Sequence, residues 1–549
     1  MGRLDERQIA QLGDGLGRRQ FMGGLAGAGA VAGMGGLLAA CGGSSSGGGS
    51  PSATPSSGSA AAGPQKRGGN LRVGMTGGST NDTLDPHSGF TYLDSARAQS
   101  LYNPLYQLDV NAQPQYVLAK DNGIQPSNKK NTEWTIELRP GIKFHSGKPL
   151  TAADVIYTFK RIITGKHSGA DSLGSMNLNG LQAMDDLTVK VPFDTPYGSF
   201  VDQLAFWYYL YIIPEGFDPA KKGAVPNGTG PFKYQSFTAG QRSVFVRNDK
   251  YWRPGRPFAD QVTIIDFPDP VSLQNALVTN VIDAAGAIEG PQVAALSSNS
   301  GIKTVASKTG AITPFTMRVD TAPFNDVKVR QALRLLVDRQ QLIDSALDGF
   351  ATVAADVFSP FDASYSTTDF HREVDIPQAK SLLKSAGKSD LTVQLVTSAV
   401  ATGTVAMATV LAQQAKAAGG TINVKNISPG AFFGPTVYLK SSFSQDFYNT
   451  SPYLAQVAQS MLPQSPFNET HTNNPQYIKW YTDANKTGQK SVRLEIQHKM
   501  REFDFTEGGY IIPAFIDALD AYSTKLTGYT PARVGQPLAD LNFEAFSFV

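Results

Sequence analysis

The sequence predicts a mixed α/β protein of two or three domains, on three observations. The chain has 549 residues, more than one hydrophobic core ordinarily serves. Short segments of strict apolar/polar alternation recur along it, the period of half-buried strands. Between them lie longer stretches of helical periodicity that begin on capping residues and stop at glycine. Hydrophobic residues make up 41% and charged residues 17%, the mix of a folded chain rather than a disordered one.

The folded part begins at Gly69, where composition changes abruptly. Asn70-Leu71-Arg72-Val73-Gly74-Met75 alternates and predicts a first strand. Glu133-Trp134-Thr135-Ile136-Glu137-Leu138 alternates again, and Pro140-Gly141 ends it as a turn. Thr151 then caps a helix that runs through Phe159, with Asp154 in the first turn. A further helix is expected from Val327 to Leu347. Asn325 or Asp326 caps it, Val329, Leu333, Leu336, Ile343 and Leu347 form its apolar stripe, and Gly349 stops it.

Ahead of this body the chain reads as an address. Arg18-Arg19-Gln20-Phe21-Met22 precedes a Gly/Ala-rich apolar run from Gly23 to Ala40, too weakly hydrophobic for a permanent span. The paired arginines followed by Phe resemble a twin-arginine export signal. Leu38-Ala39-Ala40-Cys41-Gly42 resembles a bacterial lipobox, which implies cleavage before Cys41 and lipidation of that residue. Residues 1–40 are therefore expected to be a signal. Residues 41–68, made of Gly, Ser, Ala and Pro with little to bury, are expected to be a flexible tether. Gly43-Ser44-Ser45-Ser46-Gly47 matches a nucleophile-elbow pattern in form only, because such a linker offers no strand-to-helix turn.

Charge and residue counts exclude several function classes. The formal net charge is +2, too small a field to gather nucleic acid. Cys41 is the sole cysteine, so no internal disulfide or cysteine-rich metal site is possible. The six histidines, His87, His145, His167, His371, His471 and His498, show no metalloenzyme pairing, and no catalytic residue, metal or cofactor is predicted. Gly228-Thr229-Gly230 opens like a dinucleotide loop, but Pro231 follows and the third glycine is missing.

Several segments, taken in order, resemble the bacterial extracellular solute-binding proteins of family 5, the oligopeptide, dipeptide and nickel-binding group. They are Leu84-Asp85-Pro86-His87, Tyr102-Asn103-Pro104-Leu105-Tyr106, and the long run from Trp134 through Phe144-His145-Ser146-Gly147 to Thr151-Ala152-Ala153-Asp154-Val155. Asn227-Gly228-Thr229-Gly230-Pro231-Phe232, Arg247-Asn248-Asp249-Lys250-Tyr251-Trp252 and Phe324-Asn325-Asp326-Val327-Lys328-Val329-Arg330 follow, then Phe467-Asn468-Glu469-Thr470-His471 and Ile512-Pro513-Ala514-Phe515. The resemblance spans residues 69–549. It implies a two-lobed periplasmic-binding-protein-like fold with a hinge and an extra domain inserted in the first lobe. The first lobe is expected from 69–105, 214–312 and 523–549, the inserted domain from 106–213, and the second lobe from 313–522.

The resemblance also implies a function: capture of a small solute, a peptide first, by cleft closure, and delivery to the permease subunits of an ABC importer. A non-peptide cargo such as an oligosaccharide, a nickel chelate or an opine-like compound is the alternative, as is solute sensing. The protein is expected to be a monomer, lipid-anchored on the extracytoplasmic face of the cell membrane. Most hallmark residues are expected to be architectural: Gly147, Gly228 and Gly230 for turns or close backbone approach, Arg330 for a carboxylate or carbonyl. Ligand contacts are expected elsewhere. Phe90 and Tyr92 lie where family members line the cleft floor, and Trp207, in the aromatic run Phe206–Tyr211, is a candidate wall, with a buried aromatic core strand as the other reading of that run. In the second lobe the corresponding stretch carries Asp446, Phe447, Tyr448 and Asn449, but no Trp-x-x-Asp. Asp446 is the carboxylate expected to meet a ligand ammonium, with Phe447 or Tyr448 walling the pocket.

Overall fold

A computed structural model describes residues 65–89, 91–205 and 207–549. The signal, Cys41, most of the tether, Phe90 and Phe206 lie outside the described residues. Among those described, no helix is long and apolar enough to cross a membrane.

Three sheets organise the chain. The largest has eight strands and runs in the order Ile302–Ile312, Ala514–Ser523, Ala284–Ala285, Asn70–Thr76, Gln261–Phe267, Arg242–Arg247, Phe232–Thr238, with Ala351–Val353 paired alongside Ala514–Ser523. The predicted first strand lies inside this sheet, parallel to Gln261–Phe267 with Val73 opposite Ile264. Leu71, Val73, Val262 and Ile264 are fully buried, as expected of strands covered on both faces. This sheet carries the first lobe.

A five-stranded sheet carries the second lobe, in the order Thr421–Asn426, Thr392–Thr397, Phe443–Gln445, Phe315–Met317, Tyr510–Ile511. Phe315, Met317, Leu333, Leu395, Leu411, Phe443 and Ile511 form its core. Between the first-lobe segments, the strands Ala119–Pro126, Glu133–Leu138, Thr188–Pro192 and Gln182–Asp185 make a four-stranded antiparallel sheet. The helix Ala152–Thr164 packs on it through Val155, Phe159 and Ile162, and its start is fixed by the Asp154 carboxylate, which accepts the Thr151 N–H at 2.8 Å.

Two elements depart from the sequence reading. The strand Ala514–Ser523, expected within the second lobe, pairs instead with Ile302–Ile312 and Ala284–Ala285 in the first-lobe sheet. The chain therefore returns to the first lobe before residue 522. The single helix expected from Val327 to Leu347 is two, Val327–Leu335 and Arg339–Ala346. Asp338 starts the second by accepting the Gln341 N–H at 2.9 Å, a capping signal that the continuous apolar stripe masks.

The hallmark segments meet one another rather than solvent. The Asn103 side-chain oxygen accepts from Thr229 Oγ1 and Trp252 Nε1, each at 3.1 Å. His145 sits on the Gly228-Thr229-Gly230 turn, its backbone N–H donating to Gly228 O at 2.8 Å and its Nε2 facing Gly230 O at 3.1 Å. A side chain at Gly228 would begin 2.0 Å from Leu101 O, which explains the glycine. Gly147 holds φ +89°, a turn conformation that side chains rarely adopt. Asp85 accepts from Arg161 Nη2 at 2.6 Å, and His87 contacts Tyr211 O through Nε2 at 2.8 Å, tying the opening segment to the inserted unit. Burial pushes the His87 pKa down to about 4. Arg330 donates to Phe324 O and Glu507 O, both at 2.6 Å, as expected of a carbonyl-satisfying guanidinium.

Candidate functional site

The lobes are joined where Ile302–Ile312 and Ala514–Ser523 run antiparallel, and the pairing breaks register between Ser307 and Ala311. Side chains stitch the break. Thr309 Oγ1 donates to Ile516 O at 2.6 Å and accepts the Ala311 N–H at 3.0 Å. The Gly310 N–H reaches Thr450 Oγ1 of the second lobe at 2.8 Å, and Thr450 donates onward to Arg533 O at 2.7 Å. Ile312 and Tyr448 exchange backbone hydrogen bonds, both 2.9 Å, so the second-lobe wall is hung directly on the hinge strand.

Beside this junction lies a small cavity of about 100 Å³. The first lobe contributes Tyr92, Ala287, Ile288, Ile516 to Leu519, Gly535 and Pro537; the hinge contributes Thr309 and Ala311 to Thr313; the second lobe contributes Ala401, Thr402 and Phe447 to Asn449. Tyr92 opens the helix Tyr92–Leu101, whose cap places it: Thr91 Oγ1 accepts the Asp94 N–H at 3.0 Å, and the Asp94 carboxylate accepts the Thr91 N–H at 3.3 Å. Ala287 and Leu538 both hold left-handed backbone, at φ 53° and 52°. Asp520 holds the two together, accepting from Ala287 N at 3.1 Å, from Leu538 N at 2.7 Å and from Tyr529 Oη at 2.6 Å. Burial pushes the Asp520 carboxyl up to about 6.

The cavity wall is chemically neutral with one exception. Among the described residues, its polar side chains are threonine, tyrosine and asparagine, and its single charged residue is Asp517. Asp517 Oδ2 accepts from Lys308 Nζ at 2.8 Å, and burial raises the carboxyl's pKa against the opposing pull of Lys308. A much larger trough, about 2360 Å³, runs along the first lobe past Arg253, Pro291, Lys308 and Asn542. Among the described residues, Asp517 is the one common to both linings. The trough draws nearly all its wall from the first lobe and the start of the inserted unit, whereas the small cavity is closed by both lobes and the hinge.

Of the residues singled out from the sequence, Tyr92, Phe447, Tyr448 and Asn449 come together around this cavity. Asp446 does not line it. Its carboxylate accepts from Tyr438 Oη at 3.0 Å and from the Phe447 N–H at 2.8 Å, inside a buried network in which Tyr438 and Tyr448 also reach Glu469 at 3.0 Å. Trp207 opens a short 3₁₀ turn, Trp207–Tyr209, where the other reading of the run expected a strand. Tyr208 and Tyr211 from the same run are buried in the first-lobe core. Phe90 lies outside the described residues. Sequence reasoning missed Asp517 and Asp520. Two acids spaced three apart in the otherwise apolar Phe515-Ile516-Asp517-Ala518-Leu519-Asp520 were the available signal.

Residues 113–475 match the family model described as bacterial extracellular solute-binding proteins, family 5 Middle. The chain is 29% identical over 474 residues to the glutathione-binding protein GsiB of Pectobacterium atrosepticum, covering 82% of this chain and 90% of that protein. With GsiB of Salmonella typhimurium it is 31% identical over 318 residues, 57% of this chain and 61% of that one. Among solved structures, AgaA in complex with agropinic acid from A. tumefacien R10 superposes with a TM-score of 0.74 at 21% identity, covering 88% of this chain and 99% of that one. DppA from Helicobacter pylori in complex with the peptide STSA superposes with a TM-score of 0.73 at 19% identity, covering 88% and 98%. NikZ from Campylobacter jejuni in complex with Ni(L-His) superposes with a TM-score of 0.72 at 19% identity, covering 87% and 99%.

Proposed function

The chain belongs to the bacterial extracellular solute-binding proteins, family 5, and on that premise we propose that it captures a short peptide for an ABC importer by closing its lobes around it. The observation that carries this reading is the cavity closed by first lobe, hinge and second lobe together. A peptide is held by its backbone, by pockets for its side chains and by partners for its charged ends. Thr313, Thr402 and Asn449 supply hydrogen-bonding groups, while Ala287, Ile288 and Phe447 supply apolar wall. At about 100 Å³ the closed cavity is small beside the 300–1,000 Å³ or so of ordinary ligand pockets, which favours a short ligand over a long one. The relatives name glutathione, and the structural neighbours name a peptide, an opine-type acid and a nickel chelate, so non-peptide cargo is the alternative.

Closure transmits ligand occupancy only if the ligand binds the closed form better than the open one. The paired hinge strands are the element about which that motion would turn. Delivery requires that the closed face dock on permease subunits. Acylation at Cys41, with the tether behind it, would keep the monomeric receptor at the extracytoplasmic membrane surface. The reading leaves the protein without a catalytic role.

The test is native mass spectrometry of the full chain purified gently in detergent from its own host. Co-purified peptide masses that leave on mild unfolding support the reading. A single non-peptide mass, or a metal complex, overturns the peptide cargo and leaves solute binding in place.

A further inference from the structure

Among the described residues, Tyr92 is the one aromatic side chain left exposed, at 37%. It lines the cavity between the lobes and not the outer trough. A ring that stays open contributes little to folding, because its area is not removed from water. The other large side chains of the wall all serve a core. Ile288 and Leu519 pack into one hydrophobic cluster, Ile312 and Tyr448 into a second, and Phe447 and Ile516 against two more. Tyr92 belongs to none of these clusters. Yet its backbone is firmly placed. Thr91 and Asp94 cap each other around it, Asp94 also accepts the Thr83 N–H at 3.0 Å, and the next residue, Leu93, is fully buried.

We infer that Tyr92 sets the length of solute over which the lobes close, its ring taking space that a longer ligand would need. The inference rests on the solute-capture reading above and adds the residue that limits the size of the cargo. The volumes decide how much one ring matters. The cavity measures about 100 Å³, and an apolar cavity of about 150 Å³ holds one benzene. A phenol ring thus occupies space on the order of the whole cavity, and removing it would roughly double the room. No other large group of the wall can be removed without taking a side chain out of a core. The rest of the first-lobe wall near it is already small, with Ala287, Ala518 and Gly535. Because the capped helix start cannot retreat, the ring projects from a fixed point of the first lobe towards the second.

The experiment uses the full chain in detergent and an equimolar mixture of alanine di-, tri- and pentapeptides, read by native mass spectrometry. The wild type is expected to retain the dipeptide at least tenfold over the pentapeptide. Tyr92→Ala is expected to bring the two within about threefold of each other, and Tyr92→Leu to fall between. Tyr92→Phe keeps the ring and is expected to keep the wild-type ratio. Urea midpoints should stay at the wild-type value, because the ring supports no core, and Tyr92→Leu keeps the test open if Tyr92→Ala folds poorly. An unchanged ratio in whichever of these two variants keeps its midpoint overturns the assignment. So does a ratio that moves as far in Tyr92→Phe as in Tyr92→Ala, which would trace the selection to the hydroxyl. Equal retention of all three lengths by the wild type overturns the assignment while leaving solute capture intact. Retention of none overturns the peptide reading, and the assignment falls with it.

Discussion

Asn131 of the inserted unit donates its side-chain amide to the backbone carbonyl of Asn485 in the second lobe, at 3.1 Å. The same amide reaches Lys486 O at 3.3 Å and Thr487 O at 3.2 Å, the end of the helix Pro475–Lys486, where carbonyls have no partners within the helix. In return the Asn485 side chain accepts the Ser199 N–H at 2.9 Å. These bonds join the inserted unit to the second lobe away from the hinge, beside the Gly198 N–H bond to Asn485 O at 3.0 Å.

Removing that contact should favour the open form. Asn131 has φ 54°, so Asn131→Gly removes the amide without adding backbone strain. A loss of about 1.5 kcal/mol is expected, because Asn485 O still accepts the Gly198 N–H at 3.0 Å and Thr487 O the Arg493 guanidinium at 3.2 Å, so that Lys486 O bears most of the loss. Förster distances between labels on the inserted unit and the second lobe should lengthen, and bound ligand should be lost about tenfold more readily. Unchanged distances with unchanged retention would show that the bridge does not bear on closure.

Asp520 sets a pH dependence whose sign follows from its burial. Its carboxyl titrates near 6 in the folded protein and near 3.8 when exposed, so the native state holds a proton that the unfolded state has released. Its contribution is present in full below the unfolded value and is lost as pH rises towards about 6. Thermal unfolding measured from pH 4 to 7 should show this decline, and Asp520→Asn should flatten it. Asp504, also pushed up to about 6 by burial, leaves a residual slope in the variant. A wild-type slope equal to that of the variant contradicts the prediction.

Gly228→Ala tests the hallmark turn. Its new methyl would meet Leu101 O at 2.0 Å and the Tyr102 ring at 2.6 Å, neither free to withdraw. A loss of about 3 kcal/mol or more is expected, read as a lower urea midpoint with little change in slope. A variant as stable as the parent would mean that the turn can move away from the helix end.

Cys41→Ala tests the anchor. The protein should shift from the membrane fraction to the soluble extracytoplasmic fraction while keeping its folded stability, because the tether offers nothing to bury. Metabolic labelling with a fatty acid should be lost at the same time. Retention at the membrane by the variant would point to another means of attachment.

Local features were legible from the residues that make them. The alternation of Glu133–Leu138, the Thr151–Asp154 cap and the carbonyl-seeking Arg330 each depend on a few adjacent positions or one side chain's donor geometry. The break at Leu336 to Asp338 was legible too, but the apolar stripe outweighed the aspartate cap. Sheet membership of Ala514–Ser523 was not, because its partners Ala284 and Ile302 stand more than two hundred residues earlier. Which acid lies in the cavity wall was not legible, for the same reason. Asp446 and Asp517 are both buried acids in the sequence, and only the long-range pairing of hinge strands puts one of them in the cavity wall.

The place of Ala514–Ser523 within the first-lobe sheet has a consequence for biosynthesis. Every strand of the second lobe's sheet has left the ribosome by Ile511, so that lobe can complete its core first. The first lobe cannot, although its opening strand is made at Asn70. Until Ser523 is translated, Ile302–Ile312 has no neighbour in its sheet and Ala284–Ala285 has one open side. The lobe that begins the chain is thus the last to be finished. A nascent chain halted within the second lobe would present an unfilled strand site, a natural target for chaperones or for misassembly with another copy.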